Sequence, residues 1–136
     1  MMNDKRVVYT NLCGRQYPLC LTVAAQNRIC DEFGGLVKMA EAMDKAGERA
    51  TSVLCQVSTI LIEGGIGRMK SLAWMEGKEA DEICAPDSQT LENLLTIAEV
   101  SELRDAVFNA ITASRQQTVE TEPDKSTSKN AETTQE

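Results

Sequence analysis

The sequence predicts an α+β fold that is mostly α. A β-hairpin over residues 6–21 packs on a small bundle of about five or six helices over 22–114, and a polar tail over 115–136 follows. Three observations predict it. Aromatic residues make up only 4% of the chain, so Ala, Met and the aliphatics must build the core, which suits packed helices better than a sandwich or barrel. Two short runs rich in β-branched and aromatic residues flank a glycine near the N-terminus. Beyond them, apolar residues recur at i, i+3, i+4 and i+7. With 136 residues the chain is read as a single domain, 1–114, plus the tail.

In the hairpin, "RVVYTN" and "QYPLCLT" are the strand-like runs, and Gly14 between them can take positive φ. Pro18 lacks an N–H, so its strand should be an edge or the ladder should break there. An isolated hairpin is marginal in water, so this one must pack on the helices that follow.

Thr22 is in place to cap the first helix, with Ala25, Ile29 and Phe33 on one face and Gly34 and Gly35 as the stop. A second helix shows Leu36, Met39, Ala40 and Met43 on one face and closes at Gly47. The third is expected from about Glu48 to Glu63. Its stripe is Ala50, Val53, Leu54, Val57, Ile60 and Leu61, and "EGG" ends it. Its β-branched content makes a strand the competing assignment, and its length and lack of alternation favour a helix. Ile66 to Cys84 gives only a loose helical stripe that passes into an acidic loop at "EGKEADEICAPD". Asp87 or Ser88 caps a short helix, and Thr96 with Glu99 forms a capping box for the last one, with Val100, Leu103, Val107 and Ile111 on its face. The tail is almost free of apolar residues and is expected to be disordered, because it cannot bury enough surface to offset the entropy of ordering it.

The net charge of −7 and absence of a basic block oppose nucleic-acid binding and a polybasic membrane contact. The longest strongly apolar run, "VLCQVSTILI", is shorter than a bilayer span, and the N-terminus has no apolar signal core, so a cytosolic location is expected. There is no His, and Cys13, Cys20, Cys30, Cys55 and Cys84 form no Cys-x-x-Cys pair, so no metal site is expected. The five cysteines are read as reduced and mostly buried, with Cys30 and Cys55 inside. No phosphate loop or nucleophile elbow occurs, and the carboxylates at Asp31–Glu32 and Glu79–Glu82 read as a solvated surface. No catalytic residue, cofactor or enzyme activity is expected.

What remains is surface. Met39, Met43, Met69 and Met75, with Trp74, form an apolar set that is either core filling or partner contact, and Trp74 is the leading candidate for contact.

The stretch "GRQYPLCLTVAAQNRICDEFGGLVKMAEAM" resembles the opening of tail assembly chaperones from long-tailed bacteriophages and prophages. Gly14, Tyr17, Pro18, Leu19, Thr22, Phe33 and Gly34 carry that pattern, and "NLLTIAEVSELRDAVFNAI", with Thr96 at its break, is similar to the family's final helices. The resemblance implies a non-enzymatic assembly factor acting in the bacterial host cytoplasm. Its partners would be the helical tape-measure protein, which it solubilises, and the tail-tube protein, which it helps recruit. It also implies self-association. A head–tail connector that stays in the virion is the alternative, and a helical regulatory protein is a weaker one because a recognition helix needs a basic face.

Overall fold

The structure, a computed structural model, describes residues 4–45, 50–80 and 82–115. The expected stop at Gly47 and the polar tail beyond Arg115 lie outside those residues. Strands β1 (Val8–Leu12) and β2 (Arg15–Leu19) form an antiparallel pair, followed by α1 (Val23–Phe33), α2 (Leu36–Lys45), α3 (Ala50–Met75), α4 (Ser88–Leu94) and α5 (Ile97–Arg115). This is the expected hairpin on a helical bundle, with five helices among the described residues.

The register pairs Leu12 with Arg15, so the turn is Cys13–Gly14, with φ of 54° and 84°. Two positive φ values match the right-handed twist of the flanking strands. The Asn11 side-chain oxygen accepts from the Gly14 amide at 3.0 Å and braces the turn. Counting outward from this turn, hydrogen-bonded and non-hydrogen-bonded pairs alternate. Tyr9 and Pro18 therefore fall on a non-hydrogen-bonded pair, where the missing proline N–H costs the ladder nothing.

Helix α3 is the axis of the molecule. Val57, Ser58, Thr59, Ile60, Leu61 and Ile62 are all buried in succession, so this stretch is covered on every side. Aliphatic side chains on every side of a helix place it in a core, and here they bury Ser58 and Thr59 with them. The hairpin and α5 pack on it, as do α1, α2 and α4, and Leu19, Ile29, Met39, Leu91, Leu103 and Val107 meet it in one cluster. By length and composition alone α3 could cross a bilayer, but 56% of its most apolar window is buried inside this domain.

The expected stop at "EGG" is overturned: α3 runs through Gly64, Gly65 and Gly67 to Met75, absorbing what read as a separate loose helix. The reason is close approach. A Cβ on Gly64 would strike the Cys20 carbonyl oxygen, and one on Gly65 the Pro18 carbonyl. The chain leaving β2 lies directly against the helix there, and the Cys20 amide donates to the Leu61 carbonyl at 3.0 Å. Helical glycine costs ~1 kcal/mol relative to alanine. Here that cost secures contact between strand and helix backbones.

Local signals fare well. Thr22 Oγ1 accepts from the Ala25 amide at 3.1 Å, and Gly34 adopts the left-handed cap conformation at φ 93°. Asp87, rather than Ser88, caps α4 by accepting from the Thr90 amide at 2.8 Å. The Thr96–Glu99 box is half closed: the Glu99 carboxylate accepts from the Thr96 amide at 2.9 Å, while the Thr96 hydroxyl turns to that same carboxylate. Near the end of α5, Ser114 Oγ accepts from the Leu21 amide at 2.9 Å and ties the last helix to the exit of the hairpin.

The glycines give paired predictions of opposite sign. Gly65→Ala is expected to destabilise by about 1–3 kcal/mol, as overpacking does, despite its better helix propensity. Gly67→Ala, with nothing within 4 Å of the added carbon, is expected to stabilise by ~0.5–1 kcal/mol. Urea denaturation of both variants checks this, and a stabilising Gly65→Ala would refute the close-contact account.

Candidate functional site

The apolar set singled out in the sequence divides in two. Met39 and Met43 are buried in the core, because the apolar face of α2 turns inward onto α3. As candidate partner contacts they are corrected to core residues. Met69, Trp74 and Met75 lie on the distal end of α3, where Trp74 is 79% and Met75 74% exposed. Past Ile66 the helix outruns the elements that cover it, and burial falls away along its last turns.

That end is held by a closed cap. The Lys78 amide donates to the Ala73 carbonyl at 2.8 Å and the Gly77 amide to the Trp74 carbonyl at 3.0 Å, with Gly77 at φ 72°. This pair of bonds is the Schellman arrangement, which satisfies the last carbonyls and stops fraying. Trp74 and Met75 therefore stand on ordered backbone. The "MEGK" sequence holds the signal, a glycine just past an apolar periodic run, but the acidic composition around it reads as loop.

Two grooves flank this segment, and Leu72 lines both, so it forms the ridge between them. One groove, about 460 Å³, runs between α1 and α3 past Ala24, Arg28, Gly64, Gly67 and Ser71 to Met75. Arg28 sits at its mouth, paired with Glu63 and, at 3.0 Å, with Glu32. The other groove, about 490 Å³, lies on the hairpin side, lined by Val7, Tyr9, Met69 and Ala73 with Asp4, Glu76 and Glu79 among its polar residues. Tyr9 is half exposed and its hydroxyl donates to Met69 Sδ at 3.7 Å. Sequence reasoning missed Tyr9 and Leu72. Alternation along β1 puts Tyr9 on the face opposite Thr10, but nothing local tells that α3 will end beside it.

Arg68 anchors the wall between groove and hairpin. Its Nε donates to Asp4 Oδ2 at 2.5 Å, and the Arg6 amide donates to Asp4 Oδ1 at 3.1 Å. Burial pushes the Asp4 carboxyl up, but the Arg68 hydrogen bond, the Arg6 amide and the two guanidinium charges together outweigh it and hold it below its ordinary value. The same bond raises Arg68.

The cysteines do not behave as a buried set. Cys20 and Cys55 are buried, whereas Cys13, Cys30 and Cys84 are exposed. Cys30 was expected inside; it lies on the outer side of α1, one position past the buried Ile29. Burial, with a smaller contribution from the Glu92 charge, pushes the Cys55 thiol up, which disfavours its nucleophilic thiolate. Among the described residues no three His, Cys, Asp or Glu side chains converge as metal ligands.

The motif residues occupy structural posts. Gly14 is in the turn, Tyr17 and Phe33 pack at the edge of the core, and Pro18 is buried against α3. Comparison with protein families, curated proteins and solved structures found no match to this chain.

The Asp4–Arg68 pair gives a pH prediction. A carboxyl held below its unfolded value, 3.8, contributes stability that is full above that pH and is lost as pH falls through the folded value. The Tm difference between the native chain and Asp4→Asn is therefore expected to be greatest near neutral pH and to close in strong acid. A difference that grows on acidification would overturn the assignment.

Proposed function

We propose that this chain is a non-enzymatic tail assembly chaperone of a long-tailed bacteriophage or prophage. In this reading it works in the host cytoplasm, binds and solubilises the tape-measure protein, and helps recruit tail-tube subunits. The observation that carries the proposal is the capped, exposed end of α3, where Met75 and Met69 each line one of two partly apolar grooves and Trp74 stands exposed on the same end. Aromatic and methionine side chains on ordered backbone are the type of surface that anchors a partner helix, because little conformational freedom is lost on contact.

Two further features support it. The residues behind the family resemblance are the ones that set the hairpin and its junction with the bundle: Gly14 in the turn, Pro18 against α3, Thr22 and Gly34 at the ends of α1. They are packing posts, as expected of a family whose short motifs would record architecture. The net charge of −7 also suits a protein that must keep a sticky client in solution.

Co-expression with the tape-measure protein of the same gene cluster tests the proposal. The chain is expected to co-purify with that protein and raise its soluble yield. The triple variant Met69→Ala/Trp74→Ala/Met75→Ala should lose most of that effect with little change in Tm, since all three side chains are exposed. No co-purification and no gain in solubility would refute the reading. Stoichiometric retention of the chain in purified virions would favour the connector instead.

A further inference from the structure

We infer that the groove on the hairpin side of α3 receives an amphipathic helix whose apolar stripe is flanked by cationic side chains. The inference rests on the chaperone reading and specifies the client segment and the side of α3 it uses.

The two grooves differ in their charges. At the α1 side, Arg28 stands at the mouth already engaged by Glu32 and Glu63. A carboxylate or ammonium arriving there would have to displace an existing pair. On the hairpin side, Asp4 is taken up by Arg68, and Glu76 has only the Lys78 ammonium, 3.5 Å away and 73% exposed. Glu79, on the same groove, and Glu82 beyond it have no ion-pair partner among the described residues. In sequence, residues 76–82 carry four carboxylates against one ammonium.

This acidic rim borders an apolar floor. Val7, Leu72 and Ala73 line the groove, with Tyr9 and Met69 along one wall. A helix that lays leucine-like side chains into it brings its flanking positions over Glu76 and Glu79. Lysine or arginine there meets the unpaired Glu79 and a Glu76 held only by the exposed Lys78; glutamate there meets like charge. At exposed positions such pairs are individually weak and screened by salt, so they select among clients and speed encounter, while apolar contact holds them.

The test uses the full chain and two fluorescent peptides of about 20 residues, long enough to become helical on contact. Both carry the same leucine stripe; one has lysine at the flanking positions and the other glutamate. At low salt the lysine peptide is expected to bind about tenfold tighter by anisotropy, equivalent to ~1.4 kcal/mol. The gap should narrow at high salt and vanish in Glu76→Gln/Glu79→Gln/Glu82→Gln, whose exposed positions leave folding intact. Tyr9→Ser/Met69→Ser should weaken both peptides. Equal binding of the two peptides, or a lysine preference that survives in the triple glutamine variant, overturns the inference. So does a concentration-dependent dimer, dissolved by Tyr9→Ser/Met69→Ser, that excludes the peptides, for then a second copy covers the groove. If neither peptide binds while the tape-measure protein still co-purifies, the inference falls and the chaperone reading stands. If both fail, both fall.

Discussion

The contact between the chain leaving β2 and α3 is the constraint on which the rest depends. Two backbones approach so closely at Gly64 and Gly65 that no side chain fits between them, and a strand-exit amide donates to a helical carbonyl. A two-stranded hairpin has too little surface to be stable alone. Pressed on α3, it becomes one wall of the core, with Leu19 fully buried. Because α3 is covered on that side, its central turns can be buried all round, and the remaining helices need only close the other sides.

The same contact sets where α3 becomes free. The helix must continue past the glycines to support β2, and so it runs beyond the elements that cover it. Its last turns carry Met69, Trp74 and Met75 into solvent on a capped, ordered end. The hairpin and α1 supply the walls on either side of that end, and this makes two grooves from one overhang. The proposed client surface is thus a by-product of how the core is closed: the glycines that let the hairpin dock also carry the apolar ridge outward.

Much of the fold was legible because it is encoded within a few residues. The caps at Thr22, Gly34 and Asp87 depend on a side chain or a left-handed backbone next to the helix end they serve. The stripes Ala25–Ile29 and Val100–Leu103–Val107 follow the helical repeat and are buried. The candidate site was legible only in part. Trp74 was identified as the leading contact residue, and it is exposed; Met39 and Met43 had the same composition and periodicity and are core.

What the sequence by itself determined was local conformation: which runs are helical, where hydroxyls and carboxylates cap them, and which face of each is apolar. What only the tertiary structure decided was which apolar face meets another element and which is left open. "EGG" reads as a stop because glycine is costly in an isolated helix; it continues here because Pro18 and Cys20, more than forty positions away, fill the space a side chain would need. Cys30 and Ile29 are neighbours, yet one is exposed and the other buried, because a helix turns consecutive side chains through a wide angle and only packing fixes where the boundary falls. Burial is a property of pairs of distant segments, and no window of the chain contains both members of such a pair.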